Sequence, residues 1–201
     1  IKDMASLAEE IDVSKVSPGF LSDYYFHLQR AFDRVYDSLA VKYIHESISN
    51  PNVSQMMKAR MRGLLCIRAK DIEGTLEQFR IVYDNADTYH MKAMASFNLS
   101  RTYQKINDEE NAIYWMTEAA INDIKAPCKE YASLPELSMM LIQTNRYRRA
   151  SSYLNISMKD AIGGQWNKNV FNYAEGQISI ANSMRHSANV MIVCIVLLIM
   201  F

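Results

Sequence analysis

The chain has 201 residues, enough for one domain or a pair of small ones, and its 22 Lys+Arg offset 22 Asp+Glu, which argues against a broad cationic nucleic-acid footprint. With 49% apolar and 22% charged residues it is neither disordered nor wholly membrane-embedded. Six Gly and four Pro leave little turn chemistry for an all-β fold, so a mostly helical protein is expected.

The chain opens at Ile1 with no basic-then-apolar leader after it, so the N-terminus reads as processed or truncated. A helix is expected over residues 2–11, the second half of a repeat whose first half is missing, with Pro18-Gly19 as its breaker. A long helical region over 22–49 follows, one helix or two with an indistinct join, and Asn50-Pro51-Asn52 makes a turn. Three helical hairpins are expected over 54–87, 88–125 and 131–162, with Ala126-Pro127 between the second and third. Ser133-Leu134-Pro135-Glu136 has the pattern of a capping box opening the last hairpin, and Gly163-Gly164 closes it. A terminal helix over 167–186 leads into Ala188–Phe201, 14 residues without a charge and wholly apolar from Val190. That is short of the roughly 20 residues a bilayer crossing needs, so it reads as the first part of a transmembrane helix. Met184-Arg185-His186-Ser187 would form its polar border. The chain thus divides into divergent N-terminal helices at 1–51, hairpins with a capping helix at 52–187, and the start of the span at 188–201.

An internal repeat organises the hairpins. Lys70 to Phe79, Asn107 to Met116 and Asn145 to Leu154 align without gaps, which sets Thr75, Ala112 and Ala150 37 and 38 residues apart. Each segment is the turn of a hairpin. Asn107 and Asn145 suit the left-handed backbone that ends a helix, and Lys70 suits it less. Twelve residues before those small residues stand Gly63, Ser100 and Ser138, also small. Antiparallel helices approach closely where both carry small side chains, so the pairs Gly63/Thr75, Ser100/Ala112 and Ser138/Ala150 are expected crossings. Leu99, Tyr103 and Met116, then Leu137, Leu141 and Leu154, would fill the space around them.

These positions define a tetratricopeptide repeat (TPR), and the sequence resembles that superfamily. Asn98-Leu99-Ser100-Arg101-Thr102-Tyr103 is similar to its first-helix signature, and Ala112 and Ala119 to its second. The implied fold is all-α, a right-handed solenoid of antiparallel hairpins. Ala120 to Lys125, Lys129 to Leu137, Asn145 to Asp160, Ile11 to Ser14 and Ser22 to Tyr25 further resemble the TPR portion of bacteroidete membrane-anchored transcription regulators of unknown function. That resemblance implies a periplasmic repeat array, one inner-membrane helix, and a cytoplasmic coiled coil and DNA-binding part beyond this chain. It carries over no catalytic or ligand residue.

Catalytic patterns are sparse. His27, His45, His90 and His186 stand far apart, and His45-Glu46 lacks the second His of a zinc-protease helix. Gly163-Gly164 is a helix stop rather than a phosphate cradle, and no Ser or Cys sits in a nucleophile motif. Cys66, Cys128 and Cys194 are too scattered for a disulfide framework or zinc site. No enzyme, metal or cofactor is expected, and no direct contact with nucleic acid. Binding is expected instead, on the concave side lined by first helices. The repeat register places Arg60, Leu64 and Arg68 there in the first hairpin, Phe97, Arg101, Gln104 and Lys105 in the second, and Met139, Ile142 and Gln143 in the third. Arg60, Arg68, Arg101 and Lys105 would suit a carboxylate or acidic peptide. Two functions follow: the protein- or peptide-binding sensor domain of a membrane-anchored signalling or transcription-regulatory protein, or a TPR adaptor assembling proteins at the membrane. A repeat array cut at its N-terminus would leave an apolar face without its neighbour, so a homo-oligomer, or a preceding repeat, is expected there.

Overall fold

The computed structural model describes residues 6, 10–32, 37–127, 133–163 and 170–200. These form helices and turns, with no strand among them. A single 3-10 turn, Val13–Lys15, precedes α1 (Pro18–Phe32), α2 (Asp37–Ser49), α3 (Gln55–Ala69), α4 (Ile72–Asn85), α5 (Tyr89–Lys105), α6 (Glu109–Lys125), α7 (Ser133–Gln143), α8 (Tyr147–Gly163) and α9 (Val170–Met200). The pairs α3–α4, α5–α6 and α7–α8 are the three hairpins.

Their turns share one construction. Lys70, Asn107 and Asn145 hold φ of 58°, 58° and 60°, the left-handed region. The following amides of Asp71, Asp108 and Arg146 donate to the carbonyls of Cys66, Tyr103 and Leu141 at 2.9, 3.0 and 2.8 Å. The amides of Lys70, Asn107 and Asn145 donate to Ile67, Gln104 and Ile142 at 3.2, 3.1 and 3.0 Å. This double bond pattern satisfies carbonyls left over at a helix end. The next helix then starts at once, because Asp71 and Asp108 accept from Gly74 N–H at 2.9 Å and Asn111 N–H at 3.1 Å.

Two starts differ from expectation. The region over 22–49 holds two helices, one of the readings the sequence allows, but α1 begins at Pro18 rather than after it. Proline tolerates a first turn, where its missing N–H is not needed. The capping box at Ser133 is replaced by a longer-range contact: Ser133 N–H and Oγ both donate to Asp123 Oδ2, at 3.1 and 2.6 Å. Glu136 is drawn instead to Arg101. The helix expected over 2–11 lies largely outside the described residues, of which Ser6 is helical.

The chain divides into two compact units, residues 1–87 and 88–201. In the first, Leu21, Phe32, Ile44 and Met61 are fully buried, and the Phe32 and Tyr43 rings stack at 5.6 Å. At Gly63 the helices are as close as they can be. A Cβ there would stand 2.8 Å from the Phe79 ring, and the nearest atoms all belong to that ring rather than to Thr75. In the second unit the Ser100 hydroxyl donates to the Ala112 carbonyl across the hairpin at 2.7 Å. Ser138 and Ala150 are likewise fully buried, the Ser138 hydroxyl bonding back to the Leu134 carbonyl of its own helix. Phe79, Met116 and Leu154, each 16 residues after its small first-helix partner, are buried in all three hairpins.

The helix α9 packs against α8 and touches α7, with Ile180 buried in the same core as Leu137, Ala150 and Leu154. Past Ile180 it emerges. The 19 residues Ile180–Leu198, mean hydropathy 1.3, make a helix long and apolar enough to cross a membrane, and almost none of that stretch is buried.

Candidate functional site

The helix α5 buries Ala93, Ala95, Ser96, Leu99 and Ser100, which leaves a stripe holding Phe97, Arg101, Gln104 and Lys105. The Arg101 guanidinium rests over the Phe97 ring, 5.5 Å from its centre, and meets Gln104 Oε1 at 3.3 Å. It also reaches across to the next hairpin, where Glu136 Oε1 lies 3.2 Å away. Both members of the pair are partly exposed, so it contributes at most about 1 kcal/mol and matters chiefly by holding the side chains in place.

Beside this pair a cleft of about 390 Å³ opens between α5, the start of α6, and α7. Arg101, Gln104 and Asn107 form one wall, Glu109 and Ala112 its end, and Glu136, Met139, Met140, Gln143 and Thr144 the other. The cleft has amide donors and acceptors on both sides and methionine side chains that adapt to apolar groups. Its charge differs from the acid-binding clamp expected. Arg101 already has its carboxylate, while Glu109 forms no ion pair among the described residues. The charged groups lining the cleft are thus one cation, Arg101, and two carboxylates, Glu109 and Glu136.

Phe97, Arg101 and Gln104 come together on α5, and Arg101, Gln104, Met139 and Gln143 share the cleft. Lys105 is exposed at the end of α5 and does not line it, and Ile142 is buried. In the first unit Arg60 is only 6% exposed, its guanidinium 4.3 Å from the centre of the Phe26 ring and its Nη1 against Met57 Sδ. Leu64 packs half-buried on that unit's core and Arg68 is half-buried. Glu136, Asn107, Glu109, Met140 and Thr144 were missed from sequence. Glu136 looks locally like a helix-start acid. Its one signal is the repeat spacing, which sets it where Asn98 stands in the preceding hairpin, one turn before Arg101.

Among the described residues no group of His, Cys, Asp and Glu could hold a metal ion. Burial, then the neighbouring Asp71 carboxylate, push the Cys66 thiol up, away from the thiolate a nucleophile needs.

The decisive comparison concerns the repeats. Residues 2–164 match the family described as the SusR N-terminal TPR domain. The chain belongs to that family. No curated protein and no solved structure matches it significantly. As a SusR-type TPR domain it is a protein-interaction module, of a class that is generally non-catalytic. The Arg101–Glu136 cleft is thus a pocket on a binding scaffold, built between consecutive first helices.

Proposed function

We propose that this SusR-type TPR domain is the sensor portion of a membrane-anchored bacterial regulator, with the repeats on the periplasmic side of the inner membrane. The cleft between α5 and α7 would receive an extended peptide or partner segment. The observation that carries this reading is the cleft's position. Its wall α7 belongs to the same packed core as Ile180 of α9, the helix that continues into the apolar stretch. Gln104, Asn107 and Gln143 would bond the ligand's backbone, Met139 and Met140 would take an apolar side chain, and Glu109 would meet a cationic one.

The test is selection of peptides from a random display library on the full chain held in lipid nanodiscs. The selected peptides should carry Lys or Arg. Glu109→Lys should weaken them about tenfold or more, on the scale of a lost charge-assisted hydrogen bond, and Gln143→Ala about three- to tenfold, on the scale of a neutral one. Peptides that bind equally to both variants would remove the cleft from the proposal. An adaptor without signalling output would give the same binding but no ligand-dependent change in α9.

A further inference from the structure

The turn between α7 and α8 departs from the two before it in one respect. In the earlier hairpins the second helix begins with acids, Asp71 and Glu73 in one, Asp108, Glu109 and Glu110 in the other. Those suit the positive end of a helix. The third begins instead with Arg146, Arg148 and Arg149, all exposed and without an ion pair among the described residues. The N–H groups of Tyr147, Arg148 and Arg149 precede the first intrahelical bond, which Ala150 makes to the Arg146 carbonyl at 3.2 Å. Three cations and the positive end of α8 therefore share one shallow hollow of about 440 Å³.

Where that hollow lies gives it a partner. Ile180 packs in one core with Ala150 and Leu154, and Tyr147 and Tyr153 border that core. Arg146 stands four residues before Ala150 and Arg185 five residues after Ile180, so each is within about 8 Å, at 1.5 Å per residue, of the core those two residues share. Arg185 and His186 are exposed there, and the uncharged run begins immediately after them. The cationic turn and the start of the apolar stretch thus border one core. The aligned turn of the preceding hairpin carries Asp108, Glu109 and Glu110, of which Glu109 lines the cleft with Gln143 and Thr144.

We propose that Arg146, Arg148, Arg149 and Arg185 form a docking surface for anionic phospholipid headgroups, seating the last hairpin on the bilayer that α9 enters. The proposal rests on reading α9 as a membrane span. Each arginine near an anionic surface adds about a fivefold factor in binding. Because such contacts act within roughly 8 Å at physiological salt, the turn must lie at the surface to gain them. Seating fixes the tilt of α8 and α9 together, so the cleft wall is held by the lipid as well as by the protein core.

The experiment places the full chain in vesicles of phosphatidylcholine alone, or with about 30 mol% phosphatidylglycerol to supply surface charge. Flotation resistant to carbonate reports the span, and pulsed hydrogen exchange at Tyr147–Arg149 reports the docking. Exchange should be at least about threefold slower in the anionic vesicles, and the difference should vanish in about 0.5 M salt. The triple variant Arg146→Gln, Arg148→Gln, Arg149→Gln should float equally well, keep its helical circular dichroism, and show no lipid dependence. Equal exchange in both vesicles, with the chain floating in both, would overturn the docking while leaving the span intact. Failure to float in either would overturn the span and the docking with it. Equal slowing by inorganic phosphate without vesicles would reassign the hollow to a small anion and overturn the lipid proposal.

Discussion

At single residues, the hairpins are held by close contacts that tolerate little change. Gly63 sits in a helix interior, where alanine would ordinarily gain about 1 kcal/mol. The Phe79 ring stands where the new Cβ would go, so Gly63→Ala should instead destabilise the first unit by about 1–3 kcal/mol in urea denaturation. Adding Phe79→Leu should return part of that loss; an additive pair would show that the ring is not the obstacle. The left-handed Lys70 is the mirror case. Lys70→Gly should stabilise by up to about 1 kcal/mol, and Asn107→Gly by less, because asparagine tolerates that backbone. Tyr24 gives a pH signature. Burial first, then Tyr43, Tyr25 and Glu46, raise its hydroxyl from 10.0 to about 12. A raised folded value favours the protonated fold, so this stabilisation is complete below pH 10 and is lost as pH rises toward 12. Denaturation at successive pH values should show the loss over that range, and Tyr24→Phe should reduce it. Of these features, the small residues were legible because their spacing repeats with the turns. The Phe79 contact was not singled out, although the recurrence of a large residue 16 positions after each small one held the signal.

At the scale of elements, turns read from sequence better than helix starts do. The left-handed turns at Asn107 and Asn145 follow from the residue's own chemistry, and both junctions fall where the repeat puts them. The start of α7 does not. Ser133 looks like a cap, but its hydroxyl and amide are spent on Asp123, 10 residues back and 7% exposed. A local motif carries no information about a partner on another helix. Asp123→Ala should therefore cost about 1–3 kcal/mol by leaving both Ser133 donors unpaired, and Asp123→Asn less, since one acceptor remains. Thermal melts of the two variants check this, and equal losses would assign the cost to charge rather than to hydrogen bonding. Arg101 shows the same limit at the site. Its place on the open stripe of α5 was legible from repeat register, but its carboxylate partner comes from the next hairpin. That contact sets a carboxylate against Arg101 that the register alone does not show.

Over the whole chain, the repeat spacing and the apolar tail made the fold class and the terminal helix legible. Neither depends on long-range detail. Arg60 shows why the site was read only in part. On the register it belongs to an open face, yet it is withdrawn over Phe26, an aromatic of α1 that the hairpin period does not place. The proposed function rests on continuity: α7 walls the cleft, shares a core with Ile180, and α9 runs on for the remainder of its 31 residues. Hydrogen exchange on the full chain in nanodiscs, with and without a selected peptide, measures that continuity directly. Bound peptide should slow exchange in α5 and α7 and also in α9 around Ile180, leaving α1 to α4 unchanged. Slowing confined to the cleft, with α9 the same in both states, would contradict a sensor that reports through its terminal helix.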